Sequence, residues 1–209
     1  MSEPLDLQPL FSRDDVEVLA QQTAYKGFFA MDKYTLRHRL FAGGFSEPIT
    51  REVFVRGEAV GVVLYDPVHH LLALVEQFRI GAINEPNGPW CLEVVAGMVE
   101  AGETPADVAL REIKEETSLE ATRLDYICNY MSSPGGTTEK LHLYCALLDL
   151  SEAGGIHGLA DESEDIRVRV FAADAVFAAM LKGRFNNAAT LIGLQWLQAN
   201  YPRLRDASK

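Results

Sequence analysis

The stretch GMVEAGETPADVALREIKEETSLE, Gly97–Glu120, decides how this chain is read. Its second half is a helix with a marked start. Thr104 serves as N-cap, Pro105 takes the first helical position, and Asp107 stands where the acid of a capping box belongs. Ala106, Leu110, Ile113 and Thr117 fall on one side at helical spacing and are expected to face a core. Glu112 and Glu116 stack one turn apart on the opposite side, with Glu115 adjacent. Like charges at that spacing repel by about 0.2–0.5 kcal/mol per pair. Arg111, four before Glu115, can pair with it and aim it. The acids are bunched, not spread among lysines, and the helix follows a glycine-bearing loop, VVAGMVEAGE. Hard divalent cations prefer carboxylate and carbonyl oxygen, and magnesium keeps several waters and bridges to phosphate. The cluster therefore reads as a cation platform acting on a negative substrate. The competing reading is a solvated charged face.

The rest of the composition bounds that reading. The chain has 209 residues, 48% of them hydrophobic, which is enough for a substantial core. Thirty acidic residues face nineteen basic ones, a net charge of -11. That balance argues against a nucleic-acid binder, which needs a basic surface. It leaves room for a small anionic ligand, because a metal neutralises a local carboxylate cluster. Cys91, Cys128 and Cys145 form neither a CxxC pair nor a zinc pattern and are expected to be reduced thiols. The start, MSEPLDLQPL, lacks the basic and apolar regions of a secretory signal. No apolar run approaches the ~20 residues of a membrane span. The expectation is a cytoplasmic protein with no membrane or nucleic-acid partner.

Working outward along the chain, SRDDVEVLAQQTAY suggests a short helix with Ser12 as N-cap. KGFFAMDKYTLRHRLFAGG alternates and suggests strands, with a break at Gly43–Gly44. Residues 1–57 are expected to form a small β-rich unit too poor in apolar runs for its own core. Residues 58–209 are expected to form the main domain. There AVGVVLYD and LLALVEQFR read as strands around a turn at Pro67–His70, and WCLEVVAG as another. RLDYICNYM and LHLYCALLDL flank a loop, SPGGTTEK. SEAGGIHGLADESED reads as a long polar loop, RVRVFAAD as a strand, AADAVFAAMLKG as a helix, and NNAATLIGLQWLQANY as a helix ending at Pro202. Strands and helices are interleaved without a steady βαβ rhythm. An α/β fold with a mixed sheet is expected over a doubly wound one.

Gly97, five residues, Glu103, seven residues, then Arg111-Glu112-Ile113-Lys114-Glu115-Glu116-Thr117 and Leu119 resemble the Nudix box. The family usually has glycine where this chain has Ser118, at the helix end, where positive φ is common. Serine there costs about 1 kcal/mol in local strain and removes no ligand. Pro134 in SSPGGTTEK, and Glu162 and Glu164 in GLADESED, resemble the ADP-ribose pyrophosphatase subfamily. The likeness covers most of residues 45–200.

The resemblance implies an α/β/α sandwich with a mixed sheet, and a homodimer that exchanges its N-terminal units. It implies hydrolysis of ADP-ribose to AMP and ribose 5-phosphate by a metal-activated water, with Mg²⁺ as cofactor and Mn²⁺ as a substitute. Glu112, Glu116 and the backbone carbonyl of Ala96 would hold the metal, assisted by Glu164. Glu162 would be the base, while Glu115 would ligate or hold Arg111. Glu103 would bond the loop or an outer group. Arg79 could clamp a diphosphate. Phe28 and Arg51 would reach the adenine of a substrate held by the partner subunit. Met98, Pro134, Gly135 and Glu139 resemble residues around the terminal ribose. The alternatives are a pyrophosphatase for another nucleoside diphosphate sugar, such as GDP-mannose, and a non-catalytic ADP-ribose sensor. The complete carboxylates and the missing basic helix-turn-helix segment disfavour the sensor.

Overall fold

Apolar runs without alternation suit strands buried on both faces. VVLYD, within AVGVVLYD, and LLALV form the centre of the larger of two compact units. The computed structural model describes residues 6–159 and 163–206. One unit comprises the residues up to Arg56 together with Ser133–Glu139, and the other Gly57–Ser132 with Lys140 onward.

In the smaller unit, β1 (Val16–Lys26), β2 (Ala30–His38) and β3 (Ile49–Val55) form an antiparallel sheet in that order. Ser12 does cap a helix, with Asp15 completing a capping box, but it is a single 3₁₀ turn, Arg13–Asp15. Beyond that turn, from Val16, the segment read as a short helix is a strand instead. The local start signal is honoured, but cross-strand partners then outweigh helix propensity. Glu17 pairs with Arg37 at 2.6 Å, and Gln21 and Thr23 donate to Asp32. Gly43 and Gly44, at φ +93° and +78°, make the expected break. Segment 133–139 joins β3 through Phe54 N–H to the Gly136 carbonyl (2.8 Å) and Thr138 N–H to the Phe54 carbonyl (3.1 Å). None of the described residues of this unit is buried.

The larger unit contains β4 (Glu58–Asp66), β5 (Leu71–Phe78), β6 (Trp90–Glu93), β7 (Val95–Met98), α1 (Pro105–Thr117), β8 (Arg123–Met131), β9 (Lys140–Leu147), β10 (Gly155–His157), β11 (Ile166–Ala172), α2 (Ala173–Leu181) and α3 (Ala188–Asp206). The sheet runs β10-β11-β5-β4-β9-β8, with β6 on β5 and β7 on β4. The β4–β9 pair is parallel and the others antiparallel, so the sheet is mixed. Successive side chains of a strand point to opposite faces. Val62 and Leu64 pack with Val108, Ala109 and Ile113 of α1. Val63 and Tyr65 pack with Val176 and Phe177 of α2 and Leu194 and Leu197 of α3. This is the expected α/β/α sandwich with a mixed sheet.

Two boundaries differ from the sequence reading. The glycine-rich segment read as one loop contains β10, which adds to the edge of β11. α3 does not stop at Pro202 but continues to Asp206 with the proline inside it. Proline forfeits one backbone bond, but Leu204 is fully buried in the α2–α3 core and holds the last turn. Among the described residues, no helix is long and apolar enough to cross a membrane.

Candidate active site

α1 begins as its sequence dictates: the Thr104 side chain accepts from Asp107 N–H at 3.3 Å. It ends at Ser118, which lies in the left-handed region at φ 59°, ψ 14° and donates its N–H to the Lys114 carbonyl. Which residues face inward differs from the sequence reading. The buried residues of α1 are Val108, Ala109, Glu112, Ile113, Glu116 and Thr117, whereas Leu110 is 45% exposed. Glu112 and Glu116 thus share the inward side with Ile113 and do not oppose it. The sequence reading placed the acids opposite the core-facing residues from helical spacing, whereas here they are buried, which is costly for a charge. Here a glycine makes room for them. A Cβ at Gly97 in β7 would overlap the Glu112 carboxylate, so no other residue fits while Glu112 points inward.

The acids are ordered by one arginine. Arg111 Nη1 donates to Glu112 Oε1 and to Glu115 Oε2, each at 2.9 Å, and its Nε donates to Glu103 Oε1 at 3.2 Å. Glu103 also accepts from Glu100 N–H at 3.0 Å, which fits its expected loop-bonding role. Glu115 holds Arg111 in this structure. Burial above all, and then the charge of Glu115, push the Glu112 pKa up to about 7 against the pull of Arg111. Burial, followed by the charge of Glu112, pushes Glu116 up to about 8. One carboxylate oxygen of Glu116, Oε2, is buried with no hydrogen-bond partner among the described residues. Glu116 also takes a backbone hydrogen bond from Ala96. The N–H and C=O of a strand residue point to the same edge, so the Ala96 carbonyl faces the same side.

Two further groups act on this pair. Arg79, just after β5, lowers the Glu116 pKa by its charge and is itself held by Glu93 at 2.7 Å. Glu164 lies two residues before β11 and raises both Glu112 and Glu116 by its charge. Its Oε2 accepts from Leu159 N–H at 3.3 Å. Glu162 lies outside the described residues.

The expected substrate residues divide between the two units. In the larger unit are Arg79 and Met98, whose carbonyl accepts from Arg111 Nη2 at 3.5 Å. In the smaller unit are Phe28, Arg51, Pro134, Gly135 and Glu139. Phe28 is 87% exposed, edge-on to Phe29 at 4.7 Å between ring centres. Arg51 sits on β3 opposite Tyr34, with Nη1 on the Thr50 carbonyl at 2.8 Å. Pro134 and Gly135 are exposed. Glu139 pairs with Arg56 at 2.8 Å.

Sequence reasoning missed the residues that hold these in place. Glu93 was legible as the one acid in an otherwise apolar strand. Arg56, which stacks over Phe29 at 4.6 Å, carried no local signal. A second titratable cluster, Asp66, His69 and Asp149, brings its ligand atoms within 4.8 Å of one another. The Asp66 carboxylate is already occupied, accepting from Val68 N–H, His69 N–H, Leu150 N–H and the His69 ring, and it acts as a turn cap after β4.

Residues 55–191 match the NUDIX domain family. A protein of Haemophilus influenzae named ADP-ribose pyrophosphatase is 46% identical over 95% of this chain and 93% of its own length. A protein of the same name from Escherichia coli (strain K12) is 44% identical over 99% of both chains. In fold, the chain is similar to a crystal structure described as an ADP compounds hydrolase. That match has a TM-score of 0.68 and 22% identity, covering 91% of this chain and 98% of the other.

Proposed function

The chain belongs to the Nudix family of hydrolases, and we propose that it cleaves the pyrophosphate of ADP-ribose to give AMP and ribose 5-phosphate. The observation that carries this reading is the 44–46% identity, over nearly full length, to relatives named for that activity. The inward carboxylates of α1 give it a physical basis. A buried carboxylate oxygen without a partner, and two acids pushed toward neutral pKa values, mark a site short of positive charge. Hard oxygen donors of this kind suit a divalent cation, for which we propose Mg²⁺, with Mn²⁺ as a substitute. Glu112, Glu116, Glu164 and the Ala96 carbonyl would hold it. Bound there, such an ion neutralises a diphosphate and lowers the pKa of a coordinated water.

The chain's own residues do the rest. Arg111, fixed between Glu103, Glu112 and Glu115, aims the acids. Arg79, steadied by Glu93, offers a guanidinium to the diphosphate. We assign Glu162 the role of general base that removes the proton of the attacking water. Met98, Pro134, Gly135 and Glu139 surround the terminal ribose in this proposal.

Phe28 and Arg51 are assigned to the adenine of a substrate bound by a partner subunit, in a homodimer that exchanges N-terminal units. That assignment is supported by the smaller unit, which has no buried residue among those described and leaves Leu19, Tyr25, Phe28 and Phe41 exposed. The cytoplasmic assignment rests on three free cysteines, two of them buried.

The deciding experiment compares kcat/KM with Mg²⁺ for ADP-ribose, GDP-mannose, UDP-glucose and nucleoside triphosphates. ADP-ribose should be the best substrate. A tenfold higher value for GDP-mannose would replace the substrate assignment.

A further inference from the structure

One side-chain bridge joins the end of α1 to the strand that leads toward Glu164, and the chemistry above makes no use of it. Ser118 Oγ lies 3.2 Å from His157 Nδ1, and His157 Nε2 lies 2.8 Å from the Gly154 carbonyl. A carbonyl only accepts, so Nε2 carries a proton, and in the neutral imidazole Nδ1 accepts from the Ser118 hydroxyl. The imidazole is thereby fixed at both ends in one tautomer. His157 is the last residue of β10, a three-residue edge strand whose final pair is His157 with Ile166.

Past that pair the hairpin stem closes on Glu164. Glu164 N–H donates to the Leu159 carbonyl at 3.1 Å, and Leu159 N–H donates back to Glu164 Oε2. Gly158, at φ +102°, lies so close that a Cβ there would meet the Glu164 Cβ at 2.8 Å. The stem therefore fixes Glu164, β10 continues the stem, and the Ser118–His157 bond ties β10 to the helix that carries Glu112 and Glu116.

Serine at 118 is strained in the left-handed region where glycine would not be. Glycine, however, has no hydroxyl to offer His157. We propose that Ser118 and His157 are positioning residues whose hydrogen bond sets the Glu164 stem against α1, so that Glu164 presents its carboxylate to the cation held by Glu112 and Glu116. This rests on Glu164 being a ligand, as assigned above.

The test is Mn²⁺ binding to the purified full-length protein, followed by electron paramagnetic resonance, alongside thermal melting in chelator and steady-state kinetics with ADP-ribose. Ser118→Gly removes the bridge and the strain together. Its melting temperature should be unchanged or higher, yet Mn²⁺ binding should weaken by about threefold to tenfold. His157→Ala should weaken binding equally, and the double variant no further, because both delete one interaction. His157→Gln, whose amide can accept from Ser118 and donate to Gly154, should recover most of the loss. In Ser118→Gly and His157→Ala, kcat should fall with little change in KM. Unchanged Mn²⁺ affinity in Ser118→Gly, or additive losses in the double variant, would overturn the proposal. Glu164→Gln separates the two readings. If it leaves Mn²⁺ binding intact, the ligand assignment and the positioning role both fall. If it weakens binding while the bridge variants do not, only the positioning role falls.

Discussion

Neutralising Glu116 should make the metal-free protein more tolerant of alkaline pH while abolishing its activity. Glu116 is 2% exposed, and its pKa rises from 4.5 to about 8, through burial first and the Glu112 charge second. The folded state therefore holds this proton more tightly than the unfolded chain does. The stability it contributes is complete below about pH 4.5 and is lost as pH rises through about 8. Each pKa unit is worth about 1.4 kcal/mol, so the window spans on the order of 5 kcal/mol. That is a large share of the roughly 5–15 kcal/mol that holds a domain folded. Glu112, raised to about 7, loses stability over an overlapping window, and the two titrate as a coupled pair.

Glu116→Gln removes the Glu116 titration but leaves a buried amide short of a partner, at a cost of about 1–3 kcal/mol. Below pH 5 the variant should be less stable than the parent by that amount. With about 1.4 kcal/mol lost per pH unit in the parent, the two stability curves should cross near pH ~6. By pH 8 the variant should be ahead by roughly 2–3 kcal/mol. Urea denaturation in chelator at pH 5, 6.5 and 8 measures this directly. Saturating Mg²⁺ should restore the parent at pH 8 by mass action and do far less for the variant. Parallel curves for the two proteins, or a parent that gains stability from pH 5 to 8 without metal, would refute the account of Glu116 as a buried, charge-starved acid.

Three other outcomes are expected. Gly97→Ala places a methyl group where the Glu112 carboxylate sits, so kcat should fall at least about a hundredfold while circular dichroism shows a folded protein; near-normal turnover would mean that Glu112 need not point inward. Glu162→Gln should lose about 10²–10⁴-fold in kcat with KM little changed, as expected of a base acting only in the transition state, and steady-state kinetics with Glu115→Gln and Glu164→Gln as comparators would show whether another acid holds the role. Deleting the residues before about 57 should cost both dimerisation and substrate affinity, and a monomeric, fully active truncation by light scattering and kinetics would remove the shared-site assignment.

The sequence revealed the architecture where local and global demands agree. GVVLY and LLALV are runs of strand-forming apolar residues, so they read as strands around the turn at Pro67–His70. Thr104, Pro105 and Asp107 fixed the start of α1 because capping is local chemistry. The reading failed where a tertiary partner overrode a local signal. Ser12 and Asp15 opened a helix that β2 pairing cut to one turn, and Pro202 failed to end a helix that Leu204 anchors. The most informative failure was the orientation of α1. Amphipathic reasoning assigns carboxylates to water, and only the space above Gly97 turns Glu112 inward. The glycine was visible in the sequence, but its role depends on which strand the helix crosses. The supports Glu93, Arg56 and His157 depend on pairings across the fold that no local pattern encodes.

The same inward orientation links stability to chemistry. Among the described residues, Glu103, Glu115 and Glu164 crowd Glu112 and Glu116, and the guanidiniums that act on them are Arg79 and Arg111. Arg79 is engaged by Glu93, and Arg111 is shared among three acids, so neither leaves much charge for Glu116. Without cations, burial first and the neighbouring carboxylates second raise the two pKa values to about 7 and about 8, so protons are held near neutral pH. With cations, those protons must leave, so metal binding releases protons and strengthens as pH rises. A diphosphate adds further negative charge to the same region and is repelled until positive charge has entered. On the proposed assignment, cation and substrate would favour one another's binding, and by linkage each would raise the other's affinity by the same factor. In the proposed mechanism, the buried acids that weaken the metal-free protein would favour an anion that arrives with metal.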